Sequence, residues 1–327
     1  MTVETFHLDR PRSVAETVRI LHREKDATVI AGGTDLVTLL RDGVAAPGRL
    51  VDVSQLGLDR IAWRRDGGVR IGALSSNAVT DSRLAREYPV VTEALRAGAS
   101  PQIRGMATFG GNLLQRTRCR YFRLPEFACN KRAPGSGCSA IDGDGAGQAI
   151  FGTSSSCTAV HPSDLAVALR AVDAVVIAHS HRGSREIPLD EFHLLPGDTP
   201  HRESTLRPDE LITAIDLPAR AHSRHSHYLK FRDRASFAFA LSSAAVALEL
   251  RAGTVREARI VLGGVAPAPW RAVAAERALT GGRLTPAAIT AAADAATEGA
   301  TPGKDNGYKV ELVRRVVRRA LTELGER

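Results

Sequence analysis

Residues 27–43 read ATVIAGGTDLVTLLRDG. Val29, Ile30 and Ala31 form a short apolar run suited to a buried strand. Gly32 and Gly33 break it with a sharp turn. Thr34 or Asp35 is placed to cap a helix through Leu40, which stops before Gly43. A strand, a double-glycine turn and a fresh helix start form an anion-binding arrangement. The turn's N–H groups lack partners, glycine permits close approach, and the helix dipole favours phosphate. The same spacing also serves a plain strand-to-helix connection. It is not G-x-G-x-x-G, and it lacks the Lys-Ser/Thr of a phosphate loop, so a Rossmann dinucleotide unit is not supported.

The device recurs in MATFGGNLLQRTR (106–118). This stretch reads as a short strand, a Gly110-Gly111 turn, polar Asn112 and a new element. Two such turns can hold the two ends of one pyrophosphate, which favours a nucleotide-type cofactor. Residues 116–160 follow as a Gly/Ser/Cys-rich loop with little periodicity. A loop of that length inside a compact domain is functional or disordered. It holds all four cysteines of the 327-residue chain: Cys119, Cys129, Cys138 and Cys157. Four gathered thiols argue against disorder.

The intervals between them are nine, eight and eighteen residues. No close Cys-x₂₋₄-Cys pair marks a zinc site. Disulfides would have three connectivities and would be unexpected without secretion. An iron–sulfur cluster needs four thiolates and tolerates wide spacing, and Arg116, Arg118, Arg120, Arg123, Lys131 and Arg132 would offset its charge. Spacing alone leaves cluster, zinc and unrelated thiols open. Tyr121, Phe122 and Phe127 can shield a cluster or simply pack the loop.

The remaining chain supplies ordinary α+β pieces. Residues 13–25 are helical, with Ser13 as N-cap and Val14, Val18 and Leu21 on one face. RLVDVSQL (49–56) and the run to Ile71 are strands. A cap near Thr80-Asp81 opens helical LAREYPVVTEALRAGAS. Ser163-Asp164 caps a helix that leads to a strand at Ala174–Ala178. Short strands fill 185–217, and Pro218 marks a boundary. Beyond it, YLKFRDRASFAFALSSAAVALEL is a helix or strand rich in small residues. TVREARIVLGG is a clean strand. Three helices follow, the last with Val310, Val313, Val317 and Leu321 on one face. No fixed-period repeat occurs.

Hydrophobic content of 43% supports a real core, and a formal charge of +8 is modest for this length. The arginines are dispersed. Arg314, Arg315, Arg318 and Arg319 read as one solvated helix face, so nucleic-acid binding is not favoured. No apolar run approaches the roughly 20 residues of a membrane helix. MTVETFHLDRPRSV lacks a charged segment followed by an apolar one, so the expectation is a cytoplasmic chain. No Ser-His-Asp signature, His-Glu-x-x-His or acid–base dyad is present, so no catalytic residue is assigned. His222, His225 and His227 read as solvated linker residues, and His161 as a turn residue.

AGGTDL (31–36), TFGGN (108–112) and PSDLAVAL (162–169) resemble the FAD-binding subunit of the molybdenum hydroxylases. That group includes the xanthine dehydrogenases and the carbon monoxide dehydrogenase medium subunit. The resemblance extends over nearly the whole chain, through KFRDRASFAFALSSAAVAL, ARIVLGGVAPAPWRA and KVELVRRVVRRAL. The stretch LLQRTRCRYFR…CNKR…GSGC…GTSSSCTAVHPSDL is similar to a narrower branch, the iron–sulfur-containing flavin subunit of periplasmic-type aldehyde oxidoreductases. There an inserted loop ligates a 4Fe–4S cluster.

The resemblance implies an α+β fold. Two subdomains of the vanillyl-alcohol-oxidase type (1–57 and 58–218, with the cluster loop at 116–160) precede an α+β C-terminal domain (219–327). Ile30, Ala31, Gly32, Gly33, Thr34, Asp35 and Leu36 would wrap the FAD pyrophosphate. Thr108, Gly110, Gly111 and Asn112 would hold its other side, and Asp164 its sugar region. Lys230 and Phe237 would approach the flavin. Cys119, Cys129, Cys138 and Cys157 would ligate the cluster.

The implied function is electron transfer from substrate oxidation to an external acceptor. Oxidation would take place on a molybdenum-cofactor large subunit, with a small subunit carrying two 2Fe–2S clusters completing a heterotrimer. Export with a partner subunit would make the complex periplasmic. The competing readings are a self-contained flavin oxidase or reductase and a non-enzymatic zinc- or nucleic-acid-binding module. The second leaves both glycine turns unexplained.

Overall fold

The computed structural model describes residues 5–327. The first four residues, including the expected domain start and the beginning of the segment read as leaderless, lie outside the described residues. The chain opens with β1 (His7–Asp9), α1 (Val14–Arg23), β2 (Ala27–Ile30), α2 (Leu36–Arg41) and β3 (Arg49–Asp52). Ser13 caps α1 by accepting from the Glu16 N–H. The three strands form a parallel sheet in the order β1-β3-β2. Val18, Ile20 and Leu21 of α1 pack on Val51 and Val53, which is the amphipathic pattern of residues 13–25 satisfied.

The second unit contains β4 (Ile61–Trp63), β5 (Val69–Gly72), α3 (Ser82–Glu87), α4 (Pro89–Ala97), α5 (Pro101–Met106), α6 (Phe109–Leu113), α7 (Arg120–Arg123), α8 (Asp164–Ala171), β6 (Val175–Ser180), β7 (Gly183–Pro188), α9 (Leu189–Phe192) and β8 (Leu211–Leu217). Its strands form an antiparallel sheet in the order β4-β5-β8-β6-β7. Pro89 occupies the first turn of α4, where its missing N–H costs nothing, so the helical stretch around it is two helices.

Around the second glycine pair the structure departs from the expected strand and turn. Gly110 and Gly111 lie inside α6, capped by the Thr108 hydroxyl, which accepts from the Gly111 N–H at 3.2 Å. The preceding residues are the helix α5. Only a single bridge, Ser76 to Thr108, is strand-like. The Thr108 cap pulls the chain into a helical turn before a sheet edge can form.

The third unit holds β9 (Ser226–Phe231), β10 (Ser242–Arg251), β11 (Thr254–Gly263), β12 (Trp270–Arg271), α10 (Val273–Leu279), α11 (Pro286–Ala295) and α12 (Tyr308–Gly325). The strands pair antiparallel in the order β12-β11-β10-β9. The small-residue run at 242–248 is therefore strand. Ala245 joins the core beneath α4 and α8, whereas Ala244, Val246 and Leu248 join the core beneath α10, α11 and α12. Both faces are covered, so the run is apolar throughout and hides the usual alternation.

The segment 142–150 is held by the third unit. Phe151 is fully buried in the core of that unit and stacks on Trp270 with ring centroids 5.1 Å apart. Phe151→Ala should lower stability by about 3–5 kcal/mol, read as an earlier denaturant midpoint, and should expose residues 142–150 to limited proteolysis.

Candidate functional site

A cleft of about 1320 Å³ opens where the three units meet. It exceeds the roughly 300–1,000 Å³ of most small-molecule pockets and has room for a dinucleotide. Ile30, Ala31, Gly32, Gly33, Thr34, Asp35 and Leu36 line one wall. Thr108, Gly110, Gly111 and Asn112 line another, with Asp164, Lys230 and Phe237 closing the third side. The structure thus brings every expected cofactor-binding residue to one cleft.

The two glycine pairs differ. In the first, among the described residues, the N–H groups of Gly32, Gly33, Thr34 and Asp35 donate to no protein acceptor. Gly33 has φ +71°, which favours glycine. A Cβ at Gly32 would lie 1.8 Å from the Met106 carbonyl oxygen, so no side chain fits. This turn presents a row of free amides to the cleft. In the second pair the amides are spent: Phe109 N–H donates to Ser75 O at 3.0 Å and Gly110 N–H to Ala73 O at 2.8 Å. What remains there is the Asn112 side chain. Its oxygen accepts from Ser163 Oγ at 2.6 Å and Gln115 Nε2 at 2.8 Å, which leaves its own NH₂ directed elsewhere.

Asp35 sits at the N-cap position of α2 but makes no cap bond. Its carboxylate accepts from the Arg116 N–H at 2.7 Å, from Arg123 Nη2 at 2.8 Å and from Arg118 Nη1. Burial pushes its pKa up, but the Arg118 charge and these hydrogen bonds outweigh burial and hold it below the usual range. Asp164 is likewise occupied. It accepts from Tyr228 OH at 2.5 Å and Lys230 Nζ at 2.7 Å, both on β9. Tyr228 escaped the sequence reading. Its position two residues before Lys230 on one strand face was the available signal.

The cysteine loop is ordered by polar contacts. All four cysteines are free; Cys129 and Cys157 are buried. Cys129 and Cys138 face each other across an antiparallel bridge. Cys129 packs with Phe122 and Leu39, and Tyr121 meets Phe127 edge to face. Gln148 Nε2 donates to Cys119 Sγ at 3.5 Å. Lys309, almost wholly buried, donates to the carbonyls of Gly147, Gln148 and Gly264 at 2.9–3.0 Å. Cys119 also lines the cleft; the other three cysteines do not.

The four sulfurs are dispersed. No disulfide is present. No three of the sulfurs lie within 4.8 Å of one another, whereas tetrahedral zinc brings thiolates to about 3.8 Å. A four-iron cubane spreads its thiolates wider than one ion does. Burial pushes the Cys119 thiol up and Cys157 up to about 11.

Two family models match the chain. "FAD binding domain in molybdopterin dehydrogenase" covers residues 4–220, and "CO dehydrogenase flavoprotein C-terminal domain" covers 226–324. The chain belongs to the FAD-binding subunits of the molybdenum hydroxylases. It is an FAD-dependent oxidoreductase subunit. It is 43% identical to the aldehyde oxidoreductase FAD-binding subunit PaoB of Escherichia coli K12, over 98% of both chains. It is 27% identical to the carbon monoxide dehydrogenase medium chain of Hydrogenophaga pseudoflava, over 97% of this chain and 96% of that one. A solved carbon monoxide dehydrogenase chain from the same organism superposes with a TM-score of 0.78 at 26% identity, covering 100% of this chain and 99% of that one. The expected α+β architecture of FAD-binding and C-terminal domains holds. Among the described residues, no helix is long and apolar enough to cross a membrane.

The histidines correct another expectation. His222 is fully buried beside Glu257, His225 Nε2 meets the Leu324 carbonyl at 3.0 Å, and His227 lies between Glu93 and Glu323. They look like a linker run only because alternate residues of the approach to β9 serve different neighbours. His161 packs on His193, with ring centroids 4.3 Å apart, behind the second cofactor segment. His193 Nε2 donates to the Leu113 carbonyl at 3.0 Å. Burial lowers the pKa of His161 and takes His193 down to about 4.

A depressed histidine pKa means the unfolded chain takes up protons first. The stability is complete above pH 6.5 and falls as the pH drops from 6.5 towards 4. For His193 the loss should be about 2 kcal/mol after allowance for partial solvent contact. His193→Gln keeps a donor for Leu113 and should make that acid limb shallower, with the share from His161 remaining, in denaturation midpoints measured from pH 7 to 4.

Proposed function

We propose that this chain is the FAD- and 4Fe–4S-binding electron-transfer subunit of a molybdenum-dependent aldehyde oxidoreductase. Xanthine-type chemistry is the related alternative. Its partners would be a molybdenum-cofactor large subunit, where substrate is oxidised, and a small 2Fe–2S subunit, forming a heterotrimer that serves an external acceptor. The observation that carries the reading is the meeting, at Cys119, of a dinucleotide-sized cleft and an ordered four-thiol loop. The similarity to PaoB supports the aldehyde branch.

Within this reading the first turn, Ile30 to Leu36, binds the pyrophosphate through its free amides. Thr108, Gly110, Gly111 and Asn112 shape the opposite wall, with the Asn112 NH₂ as its donor. The Asp164–Lys230 pair fixes the side towards the C-terminal domain, which we take to begin after Pro218. Cys119, Cys129, Cys138 and Cys157 hold the cluster. Bound there, FAD supplies one- and two-electron redox chemistry and the cluster one-electron chemistry. The protein binds, orients and shields them. Phe122, Tyr121 and Phe127 limit water at the thiols.

Two outcomes test this. Gly33→Val is strained at φ +71° and brings a side chain to 3.0 Å from Val37. It should yield folded protein that has lost most of its flavin absorbance; full flavin occupancy would refute the turn's role. Cys138→Ser, assembled with its partners, should lose acid-labile sulfide and most of its iron in this chain relative to wild type. Stoichiometric zinc in the wild type, or iron content unchanged in the variant, would overturn the cluster assignment.

A further inference from the structure

A second donor cluster lies outside the cleft. His22 near the end of α1, His181 in the turn between β6 and β7, and Asp209 just before β8 bring three ligand atoms within 4.8 Å of one another. His181 Nδ1 is 3.2 Å and His22 Nδ1 3.8 Å from the same oxygen, Asp209 Oδ2. Ligands at 2.0–2.1 Å around a tetrahedral zinc ion are about 3.3 Å apart. The observed spacing therefore needs little adjustment to accept an ion.

The orientation adds to the spacing. Neither imidazole makes a hydrogen bond of acceptable geometry to Asp209 or to any other described group. The rings lie close together, with centroids 3.7 Å apart and planes tilted by 36°. Both Nδ1 atoms approach the same carboxylate oxygen, Asp209 Oδ2. Arg182 is the competing cation, with Nη2 3.2 Å from Asp209 Oδ1 and 3.0 Å from Oδ2. Its side chain is half exposed and keeps Oδ1 as a partner if Oδ2 turns to an ion.

We propose that His22, His181 and Asp209 form a binding site for a divalent transition metal of the zinc type, with water completing the coordination. Two imidazoles and one carboxylate suit such ions better than magnesium or calcium. The three ligands come from two different sheets' elements. His22 belongs to the unit that carries the first glycine turn, while His181 and Asp209 belong to the five-stranded unit. Leu21 and Leu211, neighbours of the site, both line the cleft. An ion here staples the two walls that clasp the cofactor, without touching it.

The test uses the full chain with flavin and iron in place, freed of loosely held metal. ZnCl₂ is titrated against a chromophoric chelator, and CoCl₂ reports coordination by its visible d–d bands. The expected result is one ion per chain in wild type. His22→Ala and His181→Ala, the first at an exposed and the second at a half-buried side chain, should each weaken that ion at least tenfold and remove the cobalt bands, with flavin and iron content unchanged. Zinc should also raise the melting temperature of wild type and not of either variant. Any zinc taken by the cysteines persists in both variants and so cancels in the comparison. Equal stoichiometry and affinity in wild type and both variants would overturn the site, as would no binding to wild type at millimolar zinc.

Discussion

The carboxylate of Asp35, held between Arg118 and Arg123, is the contact on which the cleft depends. The carboxylate and both guanidiniums are mostly out of water, so these charge-assisted bonds are among the stronger ones in the fold. The first glycine turn therefore cannot drift from the start of the cysteine loop. The pairing also settles a charge problem. An unpaired carboxylate next to four free amides would repel a phosphate. Two guanidiniums neutralise Asp35 and leave the neighbourhood net positive, as an anion site requires.

The C-terminal unit closes the cleft by the same logic. Asp164 is met by Tyr228 and Lys230 from β9, so α8 and β9 are fastened by charge-assisted bonds. Lys309 crosses in the other direction. Burial takes its pKa down to about 8, and three carbonyl oxygens supply what water would otherwise give its ammonium. Asn306 adds bonds to the carbonyls of Gln148 and Ala149 at 3.2 Å. Residues far apart in the chain thus set the position of Gln148, whose amide reaches Cys119.

Much of this was legible from local pattern. Ser13, Asp81 and Ser163 cap helices because short polar side chains at those positions satisfy orphan amides wherever the chain goes next. The first glycine turn was legible because strand, turn and helix are all local. The second was misread because its amides are consumed by Ala73 and Ser75, more than thirty residues earlier, and no local pattern records that. Asp35 looked like a cap for the same reason: its arginine partners lie more than eighty residues away. The histidines at 222–227 were misplaced because burial is a tertiary property. Lys309 gave no sign, since a lysine at a helix start is normally solvated.

The cysteine loop shows what tertiary support accomplishes. Its local core is little more than Leu39, Phe122 and Cys129, too small to order residues 116–160 against their conformational entropy. The order comes from elsewhere: the Arg116 and Lys131 pairs with Glu203, Thr117 to the Val160 carbonyl, and the bonds from Asn306 and Lys309. The backbone around the thiols is thus fixed by groups other than the cysteines. In the cluster reading proposed above, the protein would set the ligand positions, and hydrogen bonds to sulfur would be the lever that tunes the centre. Gln148 is placed for that role. It is locked by the C-terminal unit, it donates to Cys119, and Cys119 alone of the four borders the cleft. Cys119 therefore lies where the cleft and the loop meet, and all three units shape its surroundings.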